Sequence, residues 1–182
     1  NITPLSLMDI VNDNGDSVYY LVKDIPEKIR KAGLATIESF GVKSRFVHLE
    51  YFILNEDQEG LGKAGDVLGL EVNMRPAGGF TPEMYNYSQE TDVYKSWADM
   101  VAFDYNTKNI GNRHYCAFYG RRDGKQYKLD DYEVMMKYGH KMVMWGRIPE
   151  ALSGAMANQM YVANFDTEEE MMAFYEDLAA QY

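Results

Sequence analysis

The chain has 182 residues, of which 46% are apolar, and its 28 acidic and 18 basic residues give a net charge of −10. This length suits one domain, or one lobe with a smaller appendage, and the apolar fraction is sufficient to fill a core. Nucleic acids and anionic membranes require clustered basic residues, so the charge argues against both as partners. A nucleotide that arrives with Mg²⁺ stays compatible, because it meets local charge rather than net charge.

The single cysteine, Cys116, excludes an intramolecular disulfide and a cysteine-based zinc site. A reducing compartment, the cytoplasm, is therefore expected. The sequence shows no signal peptide and no apolar run long enough to cross a bilayer. It opens with Asn1 and Ile2 rather than an initiator methionine, which we interpret as a piece of a longer protein.

The first elements read as a hairpin followed by a helix. Residues 5–23 predict two β-strands flanking a tight turn at Asn14 and Gly15. The following helix is expected to begin with Asp24 as its capping residue and to end at Gly41, where a left-handed backbone is favoured.

A polar pattern on the strand predicted at 66–74 is the strongest functional signal. Glu71, Asn73 and Arg75 occupy alternate positions and so share one face of an extended strand, while Leu70 is expected to point the other way, into a core. Carboxylate and amide oxygens suit Mg²⁺, and a guanidinium can hold a phosphate with two parallel bonds. Unpaired buried polar groups each cost about 1–3 kcal/mol, so this pattern indicates a site rather than scaffold.

A second strand, predicted at 46–54, carries apolar groups on both faces and is expected to lie centrally in a sheet. If Leu54 faces Val67 in an antiparallel ladder, Glu50 falls opposite Glu71. Facing carboxylates repel one another, and a divalent cation between them would resolve the conflict. The alternative is that one carboxylate is protonated or paired with a base.

The loop and helices around these strands are read as structural. Residues 60–65 match the G-x-G-x-x-G pattern but lack the preceding strand and following helix of a dinucleotide site, so they are predicted to be a loop. Helices are expected to begin at Thr81 and Thr91, the second placing Trp97 in the core. Residues 106–112 are predicted to form a linker.

The remaining residues, 113–182, predict a small β-α-β-β-α unit in which we identify no catalytic constellation. His114 and His140 are interpreted as ordinary surface or core histidines. The predicted elements are strands at 114–119, 141–148 and 159–164 and helices at 129–138 and 167–181.

The segments His48-Leu-Glu-Tyr-Phe52 and Leu68-Gly-Leu-Glu-Val-Asn-Met-Arg-Pro76, with the Gly-Gly turn that follows, together resemble the C-terminal half of the ATP-grasp fold. Within this fold, the two segments resemble in particular the carbamoyl-phosphate synthase large-chain-like and biotin-carboxylase-like members. The resemblance implies an α+β fold, with an antiparallel sheet and packed helices in a lobe at 1–105 and a small β-α-β-β-α appendage at 113–182.

The resemblance also implies roles for individual residues. Glu50, Glu71 and Asn73 would hold the Mg²⁺ (or Mn²⁺) ions that bridge the phosphates of ATP. Arg75 would contact the transferred phosphate and is the expected catalytic residue. The connection between the strands predicted at 46–54 and 66–74 is longer than in many proteins with the ATP-grasp fold.

The implied activity is that of a ligase that activates a small-molecule carboxylate as an acyl phosphate for attack by a nucleophile. Phe52 and Leu70 would form part of the adenine pocket. The lysines and glycine-rich lid of the other half of the fold are absent, so an N-terminal half of the same protein is an expected partner. The alternative is a non-catalytic α+β interaction or dimerisation module, in which Glu71 and Arg75 form a cross-strand salt-bridge network and residues 113–182 form a docking or dimerisation surface. A homo-oligomer is a further candidate partner.

Overall fold

The computed structural model describes residues 1–4, 7–105 and 110–182, and these ranges contain seven helices and six strands. The predicted α+β class, with an antiparallel sheet and packed helices, is confirmed. None of the helices in these ranges has the length and apolar character needed to cross a bilayer. In chain order the elements are α1 (Leu7–Asn12), β1 (Ser17–Leu21), α2 (Glu27–Ser39), β2 (His48–Ile53), β3 (Val67–Asn73), α3 (Thr81–Gln89), α4 (Val93–Phe103), β4 (Tyr115–Arg121), α5 (Asp131–Tyr138), β5 (Met142–Arg147), α6 (Glu150–Met156), β6 (Gln159–Phe165) and α7 (Glu168–Ala179).

The chain divides into two compact units. Of the described residues, the first unit takes 1–23, 83–91 and 110–182, and the second takes 24–82 and 92–105. The sequence-based ranges 1–105 and 113–182 differ from these units, because β1 pairs with β4 and so joins the first unit. As domain boundaries those ranges stay a prediction. Residues 106–109 of the predicted linker lie outside the described residues.

The first unit is built on a four-stranded antiparallel sheet with strand order β1-β4-β6-β5. α7 packs against β4 and β6 through Met171, Phe174 and Leu178, all fully buried. The ring of Phe174 meets the ring of Tyr138 from α5 edge-on, with centroids 5.0 Å apart. Buried aromatic pairs of this kind add about 0.5–1.5 kcal/mol beyond the area they bury.

Every predicted element of the 113–182 segment is present, and the structure adds one. The capping of α5 is reciprocal: Asp130 accepts from the Glu133 N–H, and the Glu133 carboxylate accepts from the Asp130 N–H. Thr167 caps α7. The added element is the short helix α6, which follows Pro149 between β5 and β6.

The predicted hairpin at 5–23 is wrong in its first half. Residues 7–12 form α1, and Leu5 and Ser6 lie outside the described residues. A short apolar run does not distinguish a helix from a strand by periodicity, and the apolar composition of this segment favours a strand that does not form. β1 instead takes β4 as its antiparallel partner, with Ser17 opposite Gly120 and Leu21 opposite Cys116.

The second unit contains a two-stranded antiparallel sheet, β2 and β3, with α2 against it. The predicted central position of β2 is therefore wrong, because β3 is its one ladder partner among the described residues. Tyr51 of β2 reaches α2, where its hydroxyl donates to the Thr36 hydroxyl at 2.8 Å. Gly41 ends α2 with φ +59°, as predicted.

Three smaller expectations in this unit are corrected. Asp24 does not cap α2: Pro26 occupies the N-cap position without a side-chain bond. α4 is capped by Asp92 rather than Thr91, since the Asp92 carboxylate accepts from the Lys95 N–H. Trp97 is 44% exposed and so is not a core residue.

Asp177 links α7 to α5 in the first unit and provides a pH-dependent test. Burial opposes ionisation of Asp177, but hydrogen bonds from Lys137 and Tyr138 of α5 outweigh it and lower its pKa. A carboxyl group whose pKa is lowered by folding stabilises the folded state at pH values above its pKa in the unfolded chain, about 3.9. This stabilisation is lost as the pH falls through the pKa of the folded state.

We therefore expect Asp177→Asn to lower the melting temperature at neutral pH and to differ little from wild type near the acid limit. Thermal unfolding followed across the acid range measures this. Glu176→Gln, at an exposed neighbouring position of α7, is the control. If the melting temperature of Asp177→Asn were below that of wild type by the same amount at every pH, the contact between α7 and α5 would not depend on the Asp177 carboxylate.

Candidate functional site

The ladder between β2 and β3 brings the predicted acidic residues together. Glu50 lies directly opposite Glu71, and His48 lies opposite Asn73. The predicted pair Leu54–Val67 is wrong, because Ile53 faces Val67 at the loop end. The facing carboxylates were predicted correctly all the same, and the reason is an irregularity in the ladder.

That irregularity is a β-bulge in β3. Tyr51 pairs with Gly69 and Glu50 pairs with Glu71, so Leu70 has no partner in the ladder. A bulge places two residues of one strand against one of the other and turns the extra side chain away from its regular position. Leu70 is 55% exposed, and the prediction that it points into a core is wrong.

The four polar residues of the ladder share one face. Tyr51 points towards α2, so its neighbour Glu50 and the alternate residue His48 point away from that helix. Asn73 and Glu71, as their ladder partners, lie on the same side. Glu71 is exposed, Asn73 is half-buried and the Glu50 side chain is 38% exposed. The arrangement is an open acidic face rather than an enclosed cavity.

Little compensates the charge of this face. His48 Nε2 lies 3.5 Å from Glu50 Oε1. Across the described ranges, neither Glu50 nor Glu71 has a lysine or arginine nitrogen within 4 Å. Directly opposed like charges are destabilising by a fraction of a kcal/mol to about 1 kcal/mol. Two ways of relieving this repulsion, a cation between the carboxylates and pairing of one carboxylate with a base, are both compatible with this geometry.

Two nitrogen atoms beside the carboxylates lack partners among the described residues. His48 Nδ1 and Asn73 Nδ2 are buried and make no hydrogen bond within those ranges. An unsatisfied buried donor or acceptor costs about 1–3 kcal/mol. The described residues contain no cluster of three or more His, Cys, Asp or Glu that could hold a metal alone. Two carboxylates with one amide oxygen nevertheless fit Mg²⁺, which takes few protein oxygens and completes its shell with water and phosphate.

Arg75 lies outside this face. β3 ends at Asn73, and the exposed Arg75 side chain donates from Nη1 to the Pro76 carbonyl at 3.0 Å. The expectation that Arg75 continues the strand face is therefore wrong, because the extended backbone stops before it. Its assignment to a phosphate stays a prediction.

Phe52 and Leu70, the predicted adenine contacts, are exposed at 57% and 55%. Phe52 is on the face of β2 that carries Glu50, since the two are two residues apart. Their exposure leaves apolar surface available, and their role stays a prediction. Sequence reasoning assigned no role to His48, although the same alternation places it beside Glu50. The unpaired Nδ1 atom, which the structure shows, is the signal that singles it out.

Comparison with known proteins identifies the fold but not a family. Neither a known protein-family profile nor a curated protein matches this sequence. The fold is ATP-grasp-like. The structure is similar to that of phosphoribosylglycinamide synthetase from Anaerococcus prevotii, with a TM-score of 0.56 and 12% sequence identity. The match covers 88% of this chain and 43% of that chain, so this chain spans less than half of the synthetase.

Proposed function

We propose that this chain is the Mg²⁺–ATP-binding lobe of an ATP-grasp ligase. The observation that carries the proposal is the pair of directly opposed carboxylates, Glu50 and Glu71, on a face where no lysine or arginine of the described ranges neutralises them. The ATP-grasp-like fold supports the same reading. Closer kinship to carbamoyl-phosphate synthase or biotin carboxylase is part of the proposal and rests on the sequence motifs alone.

Glu50, Glu71 and Asn73 would hold the metal, either Mg²⁺ or Mn²⁺. When bound, the ion would neutralise phosphate charge as it develops during phosphoryl transfer. The three residues supply oxygen donors from both strands of one ladder. The work of the protein is to keep these donors on one face and at fixed register.

Arg75 would steady the transferred phosphate. Its guanidinium is exposed and bonds one backbone carbonyl, so most of its donors are available for a phosphate or acyl phosphate. It lies two residues after the end of β3 and shortly before Gly78 and Gly79, where the backbone permits close approach of a ligand. Phe52 and Leu70 would offer apolar contacts to the adenine ring.

The reaction we propose transfers the γ-phosphoryl group of ATP to a small-molecule carboxylate, and a nucleophile then displaces phosphate from the acyl phosphate. We propose that the other half of the cleft comes from an N-terminal part of the same protein; the match to 43% of the synthetase chain supports a longer natural protein. The free, buried Cys116 accords with a reducing compartment, for which we propose the cytoplasm.

The test is ADP formation by the natural chain in which this lobe is joined to that other half. Asn73→Ala is expected to abolish it without unfolding the protein, because an amide oxygen for the metal is lost. Glu59→Gln, in the exposed loop between β2 and β3, is the matched surface control. Wild-type turnover by Asn73→Ala would refute the assignment. The lobe alone should bind Mg²⁺–ATP weakly, and a sub-micromolar Kd in calorimetry would contradict the half-cleft arrangement.

An interaction or dimerisation module is the second candidate. One observation favours it: α4 exposes Trp97 (44%), Val101 (68%) and Phe103 (74%). Its predicted salt bridge is not seen, since Arg75 bonds Pro76 and no Glu71–Arg75 pair within 4 Å occurs in the described ranges. A stable dimer in sedimentation, together with no response to Mg²⁺ or nucleotide, would favour this function over the ligase.

A further inference from the structure

The two unpaired nitrogens of the candidate site belong to residues that face each other across the ladder. His48 and Asn73 are direct partners, and His48 Nδ1 and Asn73 Nδ2 are both buried without a hydrogen bond to any residue that the structure describes. Residues opposed in a ladder have Cβ atoms about 5 Å apart, within reach of a side-chain hydrogen bond. Two unsatisfied atoms at the same rung can therefore satisfy each other.

The other ring nitrogen of His48 fixes which of these atoms donates. His48 Nε2 lies 3.5 Å from the Glu50 carboxylate, which in its ionised form can only accept. If the neutral ring donates to this carboxylate from Nε2, then Nδ1 of the same ring is an acceptor. Asn73 Nδ2 carries two N–H donors. The roles of the facing atoms are complementary.

We propose that His48 is a positioning residue that orients two metal ligands at once. Its Nε2–H donates to Glu50, and its Nδ1 accepts from Asn73 Nδ2–H when the site is loaded. With the amide nitrogen of Asn73 turned to the ring, Asn73 Oδ1 is the atom presented to the cation. His48 thereby selects the amide orientation that a metal needs and restrains the Glu50 carboxylate on the same face.

This inference rests on the proposed metal site and adds a residue that does not touch the ion. Residues that hydrogen-bond to metal ligands without contacting the metal fix the orientation of those ligands. Loss of such a residue typically lowers metal affinity about 10–100-fold. The matched variants are His48→Leu, which keeps the bulk but removes both polar atoms, and His48→Gln, whose amide retains one donor and one acceptor.

The experiment titrates this chain with Mn²⁺ and follows free Mn²⁺ by electron paramagnetic resonance. We expect His48→Leu to weaken binding about 10–100-fold and His48→Gln to recover most of the loss. Wild-type affinity in both variants would overturn the role of His48 and leave the metal site intact. Absence of saturable Mn²⁺ binding by the wild-type chain, unchanged in Glu71→Gln, would overturn the metal site and the inference together.

A second measurement tests the role of His48 even if the His48→Leu variant fails to fold. The ¹⁵N chemical shifts of the His48 ring at about pH 8, where imidazole is neutral in water, report which nitrogen carries the proton. We expect the Nε2-protonated tautomer, and a change at Nδ1 on addition of Mg²⁺ that is absent in Asn73→Ala. A ring protonated on Nδ1 would overturn the proposal.

Discussion

Glu71→Gln is expected to change stability in opposite directions with and without metal. In metal-free buffer the variant should be more stable than wild type, because removing one of two facing charges relieves a repulsion of a few tenths to about 1 kcal/mol. In Mg²⁺ or Mn²⁺ the order should reverse. A ligand that binds only the folded state stabilises it by about 2.7 kcal/mol at a hundred times its Kd, and the variant should gain almost none of this.

Thermal unfolding with and without the cation measures both effects in one series. Glu59→Gln removes a carboxylate of the same type from the exposed β2–β3 loop and should leave the stability unchanged both with and without the cation. If Glu71→Gln lowered stability in metal-free buffer, Glu71 would be engaged in a favourable pair. That outcome would remove the charge argument on which the metal site depends.

Arg121→Met is expected to destabilise the first unit by about 3–5 kcal/mol. Arg121 is 4% exposed, and its guanidinium donates to the carbonyls of Leu178 (3.1 Å) and Leu129 (2.7 Å). It also lies over the ring of Tyr127 at 4.2 Å and that of Tyr161 at 5.4 Å. The buried Leu178 carbonyl left without a donor costs about 1–3 kcal/mol, the part-buried Leu129 carbonyl costs less, and cation–π contacts add about 0.5–2 kcal/mol.

The control for this substitution is Arg147→Met. Arg147 lines the same surface cleft but is paired with Asp123 at an exposed position, where such a pair contributes at most about 1 kcal/mol. Urea unfolding with a constant slope gives both free energies. A loss no larger for Arg121 than for Arg147 would contradict the view that this buried guanidinium ties the end of α7 to the approach of α5.

The part of the site that could be predicted was the part encoded by alternation. Residues two apart on a strand share a face, which places Glu50 and Glu71 on facing strands, and the bulge at Leu70 then brings the two residues directly opposite each other although Ile53, not Leu54, faces Val67. The end of β3 at Asn73, which leaves Arg75 off the strand, depends on a backbone change that alternation does not report. The unpaired state of His48 Nδ1 requires three-dimensional coordinates.

The fold was predictable where elements are local and capped, and less so where partners are distant. The capping residues Asp130 and Thr167 mark α5 and α7 in the sequence. The pairing of β1 with β4 joins segments about a hundred residues apart, and the sequence of β1 does not specify which strand it meets. Trp97 was misplaced because an apolar stripe predicts a covered helix face, whereas α4 has no buried residue.

The bulge at Leu70 separates the hairpin into two independently registered ends. On the loop side Ile53 meets Val67, and at the other end Glu50 meets Glu71, with one spare residue between them. In an uninterrupted ladder, a one-residue slip would turn the side chains of a strand to the opposite face. Here such a slip can be absorbed at Leu70, so the long connection between the strands can vary in length while the acidic face keeps its alignment.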